Sequence, residues 1–132
     1  MQAECSALRH AQQVIFTGQQ EQVQKYLKAS DFILSPSLHE NLSISILEAC
    51  AAKLPCLVTD VGGNGEIIEN GKNGLVIEPY SAKAIMDGIR KMCCISTYDT
   101  LEKNIRKTDY RKFSDEQVDK QLESVYAYLL KL

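Results

Sequence analysis

A doubly wound α/β fold with a parallel sheet is predicted by three features of the 132-residue sequence. Short apolar runs alternate with amphipathic stretches, the order expected of strands joined by crossover helices. The run from Pro55 to Thr59 (PCLVT) is apolar without alternation, as in a strand covered on both faces. Turn residues punctuate the junctions, among them Thr17-Gly18, Ser35-Pro36-Ser37 and the glycine-rich stretch from Asp60 to Gly65.

Taken in order, the elements make a sheet of about four strands. Glu4 to Gln12 is helix-like, and Val14-Ile15-Phe16 reads as the first strand. A helix over Glu21 to Ala29 follows, carrying Val23, Tyr26 and Leu27 at helical spacing. Phe32-Ile33-Leu34 is the second strand. Ser43 to Ala52 reads as a largely buried helix with Ser43 as its N-cap, because apolar residues nearly surround it. Pro55 to Thr59 is the third strand and Glu66 to Glu69 one helical turn. Asn70-Gly71 and Asn73-Gly74 lead into the fourth strand, Leu75-Val76-Ile77. Ser81 caps a helix containing Ala84, Ile85, Gly88, Ile89 and Met92. The last helix, Ser114 to Leu132, has Val118, Leu122, Val125, Tyr126 and Leu129 on one stripe, with Ser114 and Gln117 spaced as a capping box. Tyr126 and Tyr128 are expected to pack on the body. Residues 1–132 make one domain. The helix-like start is unusual for such a fold, so further strands are expected before Met1.

Composition narrows the function. Apolar residues are 45% and charged residues 24%, and the net charge of −2 invites neither nucleic acid nor anionic lipid. No run approaches the ~20 apolar residues of a membrane span, and the first ten residues lack the pattern of a signal peptide. The five cysteines form no C-x-x-C pair, and an odd count suits reduced thiols in the cytoplasm. Cys50 and Cys56 read as small core hydrophobes, and Cys93-Cys94 as buried in a helix, with a redox-sensitive pair as the alternative.

Ligands of open parallel sheets gather outside the carboxyl ends of the strands. The candidate loops are Thr17 to Gln20, Ser35 to Leu42, Thr59 to Gly65 and Glu78 to Tyr80, and two of them stand out. The segment from Ser35 to Ser43 (SPSLHENLS) feeds straight into a helix, whose free N–H groups and dipole favour a phosphate. The loop DVGGNG from Asp60 to Gly65 lets backbone approach a ligand closely. Glu40 stands before the helix and Glu48 inside it. That spacing alone is weak, since ten glutamates in a chain of this length yield about 0.7 such pairs by chance.

The context is more specific. The stretch from Asp31 to Gly63 (DFILSPSLHENLSISILEACAAKLPCLVTDVGG) resembles the hallmark of group 1 (family 4) retaining glycosyltransferases. There Pro-Ser, a Glu, seven residues, Glu-Ala, Pro, a strand and Thr-Asp-x-Gly-Gly follow in order, with a further Glu matched by Glu66. Val14 to Gly18 is similar to the preceding strand, Asn70 to Val76 to the later turn, and Phe113 to Tyr126 to the closing segment. The resemblance implies a GT-B architecture of two facing Rossmann-like domains, with this chain the later part of the donor (nucleotide-sugar) binding domain. Glu40 would face the donor sugar's reacting centre and Glu48 the ribose hydroxyls. The backbone of Asn41, Leu42 and Ser43 would meet the sugar and diphosphate, and Gly18 the base. His39, beside Glu40, can donate to phosphate or sugar.

The resemblance further implies no catalytic metal and no cofactor beyond the nucleotide-diphosphate sugar. Positive groups and helix dipoles would stabilise the leaving group, and the sugar would be transferred with retention. The expected acceptor, a sugar, lipid or glycan, is read by an N-terminal domain absent here, and the family's basic pair is absent as well. The fragment alone is therefore expected to be inactive, and the full-length protein to be cytoplasmic or peripheral on the cytoplasmic face of the membrane. Two departures stand out: Asn41 replaces the usual glycine after the first Glu, with a turn that asparagine's tolerance of positive φ can preserve, and Lys53 replaces the usual glycine before Leu-Pro, the milder change. A sugar-nucleotide epimerase of the same architecture and a non-catalytic binding or interaction module are the alternatives.

Overall fold

The computed structural model describes residues 13–130. The elements run α1 (Val23–Lys28), β1 (Ile33–Ser35), α2 (Ile44–Ala51), β2 (Cys56–Thr59), α3 (Asn64–Ile67), β3 (Gly74–Ile77), α4 (Ala82–Met92), α5 (Ile95–Ile105), a 3-10 turn (Arg111–Phe113) and α6 (Asp115–Leu129). The sheet has three parallel strands in the order β1-β2-β3. Ile33 pairs with Cys56, and Cys56 in turn with Gly74.

The expected α/β class and parallel sheet are present, but the described sheet has three strands rather than four. Val14 to Phe16 forms no strand, and Ile15 is 84% exposed. The described ladders join only β1 to β2 and β2 to β3, so Val14–Phe16 has no strand partner among the described residues. The helix expected over Glu4 to Gln12 lies outside the described residues.

Burial radiates from β2, whose four residues are all buried, as its unbroken apolar sequence demands. On one face Ile46, Ala49, Cys50, Leu54, Val58, Ile67, Ile68 and Ile105 form a core, which Tyr110 and Phe113 close from the side. On the other, Leu57 and Leu75 meet Met92 and Leu101. Fully burying one such side chain contributes about 1.5–3 kcal/mol. Cys50 and Cys56 are buried as expected, with Sγ atoms 4.0 Å apart. The Cys50 sulfur and burial together hold the Cys56 thiol far above its ordinary range, so it stays protonated and donates to the Leu54 carbonyl. The buried Asn73 side chain donates to the Ile67 carbonyl and the Tyr110 hydroxyl, tying the turn before β3 to the closing segment.

Several expectations need correction. The helix turn after the glycine loop is Asn64–Ile67, not Glu66 to Glu69. α2 is amphipathic rather than largely buried, for Ile44 is 73% exposed. Cys93 and Cys94 are exposed, because they form the joint between α4 and α5 instead of a helix interior. α5 was not anticipated. Its polar sequence hides a narrow seam, Tyr98, Leu101 and Ile105, with only the last two buried. Ser81 caps α4 by accepting from the Ala84 amide at 3.1 Å. Ser114 makes no side-chain cap bond to α6, so the capping box is not formed. α6 buries no residue, and Tyr126 and Tyr128 are exposed, because among the described elements it packs mainly on the 3-10 turn. No helix among the described residues is long and apolar enough to cross a membrane.

The end of α2 shows which sequence departure carries strain. Leu54 N–H bonds to the Ala49 carbonyl and Lys53 N–H to the Cys50 carbonyl, the two bonds of a Schellman ending. That ending requires a left-handed residue, and Lys53 takes it at φ 63°. Its ammonium reaches the Thr108 carbonyl at 3.4 Å and lies 5.7 Å from the Tyr110 ring, contacts too loose to offset much of the cost. Lys53→Gly is expected to stabilise the fold by roughly 0.5–1 kcal/mol, read as a higher urea midpoint with an unchanged slope. A lower midpoint would show that the lysine contacts outweigh the backbone strain.

Candidate functional site

The loop from Pro36 to Ser43 leaves the carboxyl end of β1 and must turn into α2. Its shape is set by the neighbouring strand end. The Thr59 hydroxyl, last in β2, donates to the Ser37 carbonyl at 2.5 Å. The buried Asn64 amide holds the Thr59 carbonyl at 3.0 Å. The Ser37 hydroxyl donates to Glu40 Oε1 at 2.8 Å, so one carboxylate oxygen is already oriented and the half-buried side chain is not free to swing.

The glycine pair completes the clamp. Gly63 N–H bonds to the Asn41 carbonyl at 2.6 Å. A Cβ on Gly62 would stand 1.9 Å from the Glu40 carbonyl oxygen, and one on Gly63 2.8 Å from the Asn41 oxygen. Gly62 also has φ +51°. Close backbone approach is the expected use of these glycines, and the Glu40–Leu42 loop approaches them in this way. Asn41 needs no special tolerance, because positive φ among the described non-glycine residues occurs only at Lys53 and Tyr80.

At the other side of the loop, His39 Nε2 lies 3.3 Å from the Tyr80 hydroxyl, with the rings edge to face. Tyr80 follows β3 and takes φ 61°, a costly conformation for a bulky residue. Leu42 is exposed beside α2, and Ser43 is buried at its N-cap position without a side-chain cap bond, its carbonyl accepting from Leu47. The amino end of this eight-residue helix thus opens next to Glu40, where free N–H groups can meet an anion.

The structure gathers Glu40, Asn41, Leu42, Ser43 and His39 at one strand end. The other two expected residues, Glu48 and Gly18, make no described side-chain hydrogen bond to this group. Glu48, exposed on α2, lines a hollow with Gln24, Lys28, Ala51 and Ala52. Gly18 sits at φ +64° in an exposed segment with nothing within 4 Å of its Cβ direction. Ser37, Thr59 and Tyr80 lie in strand-end loops that the sequence marks as candidates, but their side chains carried no assigned role. Ser37 had a usable signal, a hydroxyl three residues before Glu40 within a turn. Tyr80 had only its place in the loop from Glu78 to Tyr80, since it meets His39 only through the fold.

Gly62→Ala tests the clamp. Relief of the clash requires the Glu40–Asn41 peptide to move, and the cost is expected to be about 2 kcal/mol or more, seen in urea unfolding together with amide shifts at residues 40–42. A change below about 0.5 kcal/mol with unmoved amides would show that the contact does not hold the loop.

Comparison with known proteins identifies the family. Residues 1–108 match the family model described as Glycosyl transferases group 1. The chain is 30% identical over 119 residues to N-acetyl-alpha-D-glucosaminyl L-malate synthase of Bacillus anthracis, covering 89% of this chain and 31% of that protein. It is 29% identical to an uncharacterized glycosyltransferase of Methanocaldococcus jannaschii, spanning 34% of it. Among solved structures, sucrose-phosphate synthase from Thermosynechococcus elongatus superposes with a TM-score of 0.77 at 27% identity, over 91% of this chain and 31% of that one. Anabaena HepE in complex with UDP superposes with a TM-score of 0.78 at 20% identity, over 89% of this chain and 33% of that one, a likeness of fold. The chain thus spans about a third of these proteins. It belongs to the group 1 glycosyl transferases, as part of a domain with the GT-B fold.

Proposed function

We propose that this chain is the donor-binding part of a retaining glycosyltransferase that takes its sugar from a nucleotide-diphosphate donor. The observation that carries this reading is the clamped Glu40–Ser43 loop, which sets an oriented carboxylate at the open amino end of α2. In the proposed mode the diphosphate sits at that helix end, where N–H groups and dipole offset the charge growing on the leaving group. Glu40 faces the sugar at its reacting centre, and the Asn41, Leu42 and Ser43 backbone meets sugar and phosphate. His39, steadied by Tyr80, donates to the same groups. Glu48 accepts from the ribose hydroxyls and Gly18 lines the base.

The donor proposed first is a UDP-sugar carrying a hexose or similar unit, supported by the UDP in the complex of HepE; GDP- and ADP-sugars are the next choices. Leaving-group stabilisation is proposed to need no metal. The acceptor, a sugar, lipid or glycan, is proposed to be read by the part of the relatives that these residues do not span. The 132 residues by themselves are accordingly expected to bind donor without transferring sugar. A cytoplasmic setting, including the cytoplasmic face of a membrane, fits the four described cysteines, all free thiols.

Calorimetric titration with UDP, 2′-deoxy-UDP and GDP tests this reading. Glu48→Ala is expected to weaken UDP roughly tenfold to a hundredfold, the size of charge-assisted hydrogen bonds to a diol, and 2′-deoxy-UDP much less. Equal losses for the two ligands remove Glu48 from the ribose. Absence of binding by any nucleoside diphosphate favours a non-catalytic interaction module instead.

A further inference from the structure

The joint between α4 and α5 carries two adjacent exposed thiols, Cys93 and Cys94. Cys93 closes α4 in helical conformation (φ −78°, ψ −5°), and Cys94 opens α5 in extended conformation (φ −81°, ψ 119°). The pair therefore sits on a bend between two helices rather than along one. Cys93 also lines a hollow of about 340 Å³ with Asp31, Phe32, Met92, Ile95, Tyr98 and Asp99. Asp31 and Phe32 immediately precede β1, so the hollow opens at the amino ends of the strands, opposite the Glu40 loop.

We propose that Cys93 and Cys94 form a thiol-oxidation site that converts reversibly to a vicinal disulfide on reaction with a small neutral hydroperoxide. Cys94 Sγ lies 3.4 Å from the Ser96 hydroxyl. That hydroxyl, and after it the Thr97 amide and hydroxyl, draw the Cys94 thiol below its ordinary range. Cys94 is therefore the attacking sulfur, since the thiolate is the nucleophile. Cys93, the second thiol to react, shares its hollow with Asp31 and Asp99, whose carboxylates disfavour an anionic oxidant beside the pair.

The chemistry balances with one hydroperoxide. The Cys94 thiolate attacks the terminal oxygen, the O–O bond breaks, and the departing alkoxide takes up a proton to leave as an alcohol. Cys94 becomes a sulfenic acid. The Cys93 thiol attacks that sulfur, the S–S bond forms, the S–O bond breaks, and water leaves with the Cys93 proton. Two thiols are oxidised, and the hydroperoxide is reduced to alcohol and water. Neighbouring Cα atoms lie about 3.8 Å apart, closer than the usual disulfide span of roughly 4.4–6.8 Å. Such a bridge is strained and easily reduced, which makes the site reversible. The buried Cys50–Cys56 pair lacks the access this reaction needs.

The test exposes the reduced full chain to hydrogen peroxide at neutral pH, with dimedone trapping and peptide mapping by mass spectrometry. The peptide bearing Cys93 and Cys94 is expected to lose two hydrogens before Cys50 or Cys56 changes, and dithiothreitol to restore it. Cys93→Ser should leave a dimedone adduct on Cys94, and Cys94→Ser should slow oxidation of Cys93 roughly tenfold. Both residues are exposed, so neither variant disturbs the core. Oxidation no faster than that of free glutathione, independent oxidation of the two thiols, a disulfide-linked dimer, or a Cys50–Cys56 bridge forming first would each overturn the proposal.

Discussion

The fold of the candidate site depends on one backbone-to-backbone contact. Gly62 and Gly63, beyond the end of β2, lie against the Glu40–Asn41 peptides beyond the end of β1, with no room for a side chain between them. The Gly63 amide closes the contact through the Asn41 carbonyl. Parallel strands bring their carboxyl ends to the same edge, so two loops must share that space. Here one is thinned to bare backbone, and the other gains a fixed course into α2. The oriented Glu40, the buried Ser43 and the open helix end all follow from that course.

The same contact shows what the sequence made legible. β2 was readable because burial on both faces erases alternation, and the Ser81 cap because its chemistry is local. The group 1 motif placed Glu40 and the loop around it. Partners were not readable. Nothing local in the Gly62-Gly63 pair distinguishes a loop from a ligand as its neighbour, and the Tyr80–His39 contact spans 41 residues. Lys53 and Asn41 illustrate the same limit. Both replace expected glycines, yet only Lys53 has positive φ, because the Schellman geometry at the end of α2 demands it.

The unburied surfaces have a common character. The Val14–Phe16 segment, the α6 stripe and the outer edge of β1 are apolar or unpaired among the described residues. Their sequences carry the periodicities of buried elements, so pattern alone predicted burial. Periodicity reports which face is apolar, and the partner that covers it is a separate fact. The relatives are about three times as long as the matched region.

The central claim is that the clamped loop delivers the amino end of α2 to a diphosphate. Amide-resolved NMR of the labelled chain during titration with UDP tests it most directly. The account predicts saturable shifts at Asn41, Leu42, Ser43 and Ile44, with Gly63 moving in step through its bond to Asn41. Shifts confined to the hollow between Asp31 and Tyr98, or a loop that stays unperturbed while UDP binds elsewhere, would contradict it.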